Sequence, residues 1–142
     1  MRVQEFSLLL MVKHPDADLS DLPGALGLEA ARIWKAGTPR MTPAGIPLTG
    51  VYHCSYCGLS IAHAPDSTLM EAIEDVLEHL RPRRAVVDRL SNTGGRFDLV
   101  VYWYSPGNTG EEFPPYLLGA LADLNIALGI DVFGDKPLGL CA

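Results

Sequence analysis

The sequence predicts a single α+β domain in which helices pack on a mostly antiparallel sheet. The chain has 142 residues, 48% of them apolar and 20% charged, which is ordinary usage for one globular domain with a sizeable core. Strand and helix patterns follow one another irregularly, whereas a parallel α/β sheet would give a regular alternation. No linker or internal repeat divides the sequence, so we expect one domain over residues 1–142.

The first element is predicted to be a strand over residues 2–13. Both alternating sets of side chains are apolar at its centre, which is typical of a central strand covered on both sides. A short helix should follow, with Asp16 or Asp18 as its N-cap and Gly27 at its C-terminal end.

The next segments are predicted to be extended. The run "EAARIWKAG" fits a strand that exposes Arg32 and Trp34 on one side and Ile33 on the other, although a helical extension also fits. Residues 38–50 contain three prolines and two glycines, which predicts a loop. A second extended region should then cover residues 51–64.

The second half of the chain contains the clearest helix signal. Thr68 and Glu71 have capping-box spacing in front of an amphipathic stripe, and Pro82 should end that helix and start a shorter one. The run "RFDLVVYWYS" is β-branched and aromatic, so it is predicted to be a strand. A proline pair opens a last helix before a final strand at 126–133. A ferredoxin-like core with an added helix and strand satisfies this order.

One face of the "RFDLVVYWYS" strand should belong to the core. The opposite face carries Asp98 together with Tyr102 and Tyr104, because residues two apart share a face. That second face either lines a binding groove or is covered by a helix. The isolated His14 and His79 are expected to be ordinary surface histidines.

Charge and cysteine content indicate the class of protein. The net charge of −6 and pI near 5.0 argue against a nucleic-acid or anionic-membrane partner, whose binding requires basic surfaces. No apolar run reaches the length of about 20 residues that spans a membrane. Three cysteines do not make a disulfide framework. We therefore expect a cytoplasmic protein.

The segment "YHCSYCGLSI", residues 52–61, is a candidate metal or redox site because Cys54 and Cys57 have C-x-x-C spacing, with His53 and His63 nearby. A structural zinc site needs about four ligands, and a redox pair usually starts a helix. Here there is one pair in a predicted strand, completed only by a histidine or the distant Cys141. We prefer two structural cysteines and expect no cofactor; a zinc-stabilised fold is the alternative.

A basic surface around a tryptophan is a second candidate site. Trp34 lies close in sequence to Arg32, Lys35 and Arg40. An indole can stack on a planar ligand while guanidinium and ammonium groups hold its anionic part. The alternative is that Trp34 packs against the sheet and the basic residues only solvate the strand.

The positions Leu26-Gly27-Leu28, Trp34-Lys35, Gly37 and Arg40 form a motif around this tryptophan. This motif resembles the pattern of the bacterial family catalogued as domain of unknown function 4279. The later "FDLVVYWYS" and "FPPYLLGALADLNIALGIDVF" extend it over nearly the whole chain. The resemblance implies a compact α+β fold and no particular activity, and the cysteine pair departs from the family pattern.

No motif indicates an enzyme: the sequence has no phosphate-binding glycine loop, nucleophile elbow or zinc-protease helix. By analogy with other small acidic α+β domains, we expect a non-enzymatic protein-interaction module, immunity-like or accessory, with a protein partner. The alternatives are a small anionic-ligand-binding or enzymatic domain using the Trp34 surface and the zinc-stabilised fold.

Overall fold

The computed structural model describes residues 5–105, 107 and 110–134, and it has an α+β architecture built on a five-stranded sheet. The strands of that sheet are Glu5–His14 (β1), Glu29–Trp34 (β2), Ser55–Ile61 (β5), Arg96–Tyr104 (β6) and Ile126–Phe133 (β7). A separate hairpin consists of Pro39–Met41 (β3) and Pro47–Val51 (β4). The α-helices are Leu22–Leu26 (α1), Leu69–Leu80 (α2), Arg84–Asn92 (α3) and Pro115–Asp123 (α4), with a 3-10 turn at Arg81–Arg83.

The strand order is β2-β5-β1-β6-β7, with every neighbouring pair antiparallel except β6 and β7. The elements β1-α1-β2 and β5-α2-α3-β6 have the connectivity of a ferredoxin-like core. The hairpin is inserted between the two halves, and α4 with β7 is added at one edge. The predicted α+β fold, mostly antiparallel and with a ferredoxin-like core, is therefore confirmed.

The core lies on one side of the main sheet. Alternate residues of β1 and β6, such as Leu10 and Leu99, are fully buried there. The buried residues of all four α-helices, including Ile73 and Leu117, belong to the same hydrophobic cluster. Leu9 and Met11 point to the other side, remain partly exposed and are not part of this cluster. The prediction that β1 is covered on both sides is therefore wrong for the described part of the chain.

Helix α2 begins as predicted. The Thr68 side chain accepts a hydrogen bond from the Glu71 backbone N–H, and the Glu71 carboxylate accepts one from the Thr68 N–H. Helix α1 is shorter than expected because Asp21 is its N-cap, while Asp18 instead accepts a hydrogen bond from the Ser20 N–H. Gly27 ends α1 with a left-handed φ of 64°, as its position predicted.

The predicted loop at 38–50 is a short hairpin. Prolines exclude a segment from the interior of a sheet, but Pro39 and Pro47 are the first residues of β3 and β4, where a missing N–H is tolerated. The two strands pair with each other outside the main sheet. The extended region expected at 51–64 is likewise interrupted, because β4 ends at Val51 and β5 begins at Ser55.

His14 is buried, which corrects the prediction of a surface histidine. Its Nδ1 accepts hydrogen bonds from the backbone N–H groups of Asp16 and Ala17 at 3.2 and 2.9 Å. Its Nε2 donates to the Thr93 hydroxyl at 2.8 Å. The ring therefore connects the end of β1 to the end of α3. Next to it, a Cβ added at Gly95 would lie 2.6 Å from the carbonyl oxygen of Leu90.

Replacing Gly95 by alanine should destabilise the fold, because the new methyl group would collide with backbone that cannot rotate away. We expect Gly95→Ala to lower the free energy of unfolding by about 2 kcal/mol, measured by urea denaturation. Gly119→Ala is the matched control: the position is inside α4, and apart from the backbone of that helix and the neighbouring residues no described atom lies within 4 Å of the new Cβ. It should raise the free energy of unfolding by about 0.5–1 kcal/mol. Equal effects of both substitutions would contradict the close approach at Gly95.

Candidate functional site

The side of the main sheet opposite the helices, hereafter the open face, is the most distinctive surface of the molecule. Solvated sheet faces normally carry polar side chains. Here the centre holds Leu9 and Met11 of β1 and Val100 and Tyr102 of β6, all half-buried. Around this centre the open face is completed by Glu5, Ser7, Lys13, Glu29, Arg32, Trp34, Tyr56, Gly58, Ser60, Arg96, Asp98, Tyr104, Ala127, Gly129, Asp131 and Phe133.

Three stacked aromatic rings close the β2–β5 side of the open face. The centroid of the Trp34 ring lies 4.4 Å from that of Tyr52 and 4.4 Å from that of Tyr56. The indole N–H donates to the Cys54 carbonyl at 2.9 Å, and the Arg32 guanidinium carbon lies 4.7 Å from the indole centroid. The indole is therefore already stacked within the chain.

Gly58 makes this stack possible. Trp34 pairs with Tyr56 across the strands, and Gly58 is the next residue of β5 on the same face. A Cβ at Gly58 would lie 2.7 Å from the Tyr56 hydroxyl oxygen and 3.2 Å from two ring carbons. The tyrosine therefore lies flat over the glycine. Burial is the main cause that raises the pKa of Tyr56, and the neighbouring Tyr102 adds to it.

Two of the three basic residues predicted to bind an anion hold the hairpin in place. Arg32 donates to the Met41 carbonyl at 2.9 Å, which fastens β3 to β2, and Arg40 donates to the Thr49 carbonyl at 3.1 Å within the hairpin. Lys35 is exposed beyond the end of β2. Arg32 and Trp34 also line a pocket of about 470 Å³ between β2 and the hairpin. Ligand binding by these four residues stays a prediction.

The two cysteines of the "YHCSYCGLSI" segment lie in different environments. Cys57 is in β5, is fully buried on the helix side, and pairs with Val12 and Ile33 in the neighbouring strands. Burial raises the pKa of its thiol to about 11, so the thiol stays protonated at neutral pH. Cys54 lies in the bend before β5, so the prediction that both cysteines are strand residues is wrong for Cys54.

The other predicted metal ligands do not gather around these thiols. His53 is exposed, whereas His63 stacks on Phe6 with ring centroids 4.2 Å apart and donates from Nε2 to the Phe6 carbonyl at 3.1 Å. In residues 5–105, 107 and 110–134, no group of three histidine, cysteine or acidic side chains is arranged to hold a metal ion. Cys141 lies outside the described residues.

His79 also differs from the surface histidine that we expected. It is half-buried on α2, and its Nε2 donates to the Leu26 carbonyl at 2.6 Å, at the end of α1. It lines a second pocket, of about 450 Å³, between α2 and the edge of β5. Because the ring already joins the two helices, we assign His79 a structural role.

Charges on the open face are segregated along the strands. Lys13 and Arg96 are paired in register at one end, where Arg96 also forms an ion pair with Asp98 at 3.1 Å. Glu5 lies at the opposite end of β1, and Asp131 lies two residues from the end of β7. Burial is the main cause that raises the pKa of Tyr102, and the negative charge of Asp131 adds to it. This polarity is present in the alternation of β1, where Glu5 and Lys13 lie on the same face at opposite ends, but it was not predicted from the sequence.

Comparison with known proteins identifies one family. A family model described as "Domain of unknown function (DUF4279)" matches residues 4–134, which is nearly the whole chain. No curated protein and no solved structure gives a significant match. No helix in the described part of the chain is long and apolar enough to cross a membrane.

The buried thiol of Cys57 should make stability depend on pH in the alkaline range. Its pKa is about 11 in the folded chain against an ordinary value of 9.0, so the folded state holds the proton longer than the unfolded state does. The contribution of this thiol to the free energy of unfolding is fully present below pH 9 and is lost as the pH rises from 9 towards 11. Urea denaturation should therefore show that the stability advantage of the wild type over Cys57→Ala shrinks across this range. An advantage that stayed constant or grew would contradict the burial.

A methyl group at Gly58 should displace Tyr56 from the aromatic stack. We expect Gly58→Ala to weaken the near-ultraviolet circular dichroism of the aromatic residues and to lower the free energy of unfolding by about 1–3 kcal/mol. Gly129→Ala is the control on the same face, since its Cβ would meet only a Val100 methyl group at 3.8 Å. That variant should leave both quantities almost unchanged. An unaltered spectrum for Gly58→Ala would show that the stack does not depend on the glycine.

Proposed function

We propose that this chain, which belongs to the DUF4279 family, is a non-enzymatic protein-interaction module whose partner packs on the open face of the sheet. The observation that carries the proposal is the apolar centre of a sheet face that no described helix covers. Leu9, Met11 and Val100 are half-buried there, among tyrosines, in a position where antiparallel sheets normally present polar residues to water. Contiguous apolar surface of this kind commonly marks a protein interface.

The composition of the open face also supports an interface. Its centre combines tyrosines with a methionine and aliphatic side chains, and its charged residues lie towards the ends of the strands. Interfaces typically have this apolar centre, enriched in aromatic residues and methionine, with a polar rim. Tyrosine contributes a large contact area at a low cost in side-chain entropy. The acidic charge and sparse cysteines support a cytoplasmic location for this module, and the family resemblance supports a bacterial source.

The ionisable groups on this face favour binding over acid–base catalysis. Asp98 forms an ion pair with Arg96, which occupies its carboxylate. Burial raises the pKa of both Tyr56 and Tyr102, so these hydroxyls remain protonated at neutral pH. A general acid or base works best with a pKa near the operating pH.

A second candidate function is binding of a small anionic ligand in the pocket between β2 and the hairpin. The observation in its favour is that Arg32 and Trp34 line this pocket. The indole, however, already stacks on two tyrosines and the Arg32 guanidinium, and Arg32 also donates to Met41. A planar ligand would have to displace these contacts, so we rank this function below the interaction module.

Site-specific photo-crosslinking in the cells that produce the protein tests the interaction module. A benzoylphenylalanine in place of Tyr102 should form a defined adduct, because this residue lies at the centre of the open face. The control is the same probe at Leu118, which is 46% exposed on α4, on the helix side of the molecule. A second variant, Val100→Lys, places a charge next to the probe.

We expect an adduct from position 102 that is absent from position 118 and is lost in the Val100→Lys background. Circular dichroism confirms that each variant is folded. The proposal is wrong if the Tyr102 probe gives no adduct, if both probes give the same adducts, or if Val100→Lys leaves the adduct of a folded chain unchanged.

A further inference from the structure

We infer that the partner on the open face is a second copy of this chain, packed face to face so that opposite ends of the two sheets meet. The inference rests on the proposed function and specifies its partner. It follows from the distribution of charge on the face, from the symmetry of a face-to-face pair and from the size of the surface.

The open face is positive at one end of its strands and negative at the other. Lys13 and Arg96 lie side by side at the positive end, whereas Glu5 and Asp131 lie at or near the negative end. Glu5 and Lys13 are eight residues apart on β1, which is a distance of about 26 Å in an extended strand. These two side chains therefore cannot pair within one chain.

The remaining charges on the face weaken this polarity without reversing it. The Asp98 carboxylate neutralises part of the Arg96 charge at the positive end. On the edge strand β2, Arg32 lies next to the positive end. Glu29 of the same strand is in register with Ser60, about halfway between the positive and negative ends. Lys13 is the exposed cation of this end for which the described residues provide no ion pair.

Symmetry allows two simple ways to pack two such faces. A two-fold axis along the strands brings like ends together, so that lysine meets lysine and glutamate meets glutamate. A two-fold axis across the strands brings opposite ends together, so that Lys13 of each copy approaches Glu5 of the other. Because like charges in contact are destabilising and opposite charges are favourable, the charge polarity selects the second arrangement.

The size and shape of the face suit a dimer. The five strands have six to ten residues each, about 26 Å on average, and lie about 4.8 Å apart, so the face spans roughly 600 Å². This is the lower end of the area that each partner buries in a specific, stable interface. Because Gly129 has no side chain, the surface beside Val100 is recessed, and a second sheet can approach it closely. The net charge of −6 opposes association, but repulsion between distant surface charges is screened beyond about 8 Å at physiological salt.

Sedimentation equilibrium of the purified chain tests this inference. The wild type should associate to twice its chain mass of 15.4 kDa as concentration rises. Lys13→Glu or Glu5→Lys alone should each raise the dimer dissociation constant about tenfold, because either change places like charges at both symmetric contacts. Arg89→Glu is the control, since Arg89 is exposed on α3, on the helix side.

Mixing the two charge variants gives the most specific result. The chain with Lys13→Glu is acidic at both positions, and the chain with Glu5→Lys is basic at both. In a mixed dimer, opposite charges therefore meet at both symmetric contacts. We expect the mixture to form a dimer as tight as the wild type, whereas each variant alone keeps its raised dissociation constant. Restoration by mixing also shows that both variants are folded.

A wild-type chain that stays monomeric at millimolar concentration would overturn the inference. So would a dimer whose dissociation constant is unchanged by both charge variants, or charge variants that do not recover on mixing. If the chain is monomeric while the Tyr102 probe captures a different protein, the proposed interaction function stands and the second copy is the wrong partner. If the probe also gives no adduct, both proposals fail.

Discussion

The handedness of the crossovers is the constraint on which the rest of the molecule depends. Three connections join parallel strands: β1 to β2 through α1, β5 to β6 through α2 and α3, and β6 to β7 through α4. Such connections are almost always right-handed. Strands β1 and β2 run antiparallel to β5, β6 and β7. The connection from β1 to β2 also crosses the sheet towards the β2 edge, whereas the other two connections cross it towards the β7 edge. All three crossovers therefore fall on the same side, and none of the helices in the described residues lies on the other side.

This one-sided arrangement explains the distribution of the hydrophobic residues. The helix side contains Leu10, Leu99 and Ile73 in a single cluster, which supplies the hydrophobic stabilisation of the fold. Leu9 and Met11 alternate with these core residues along β1 and contribute much less, because they remain partly exposed. Partly exposed apolar residues on a sheet face are typical of a surface that another chain covers, so both proposals place the partner on the open face.

The two features that stand out in the sequence have structural explanations. Cys57 is a small apolar residue in the middle of the core, and its raised thiol pKa follows from that burial. Trp34 forms the middle of an aromatic stack that attaches the β3–β4 hairpin to the sheet, with Arg32 across the same contact. Both features are therefore accounted for by packing within the chain, whereas the open face, on which both proposals rest, has no conspicuous sequence motif.

The sequence by itself determined the elements whose signals are local. The capping box at Thr68, the left-handed Gly27 and the alternation of β6 each depend on residues within a few positions, and each was predicted correctly. Only the tertiary structure decided what depends on distant residues. The burial of His14 depends on Thr93, and the flat position of Tyr56 depends on its fit against Trp34 and Gly58. Whether Leu9 is core or surface depends on which side the crossovers take, and an apolar residue in a strand has the same local pattern in both cases.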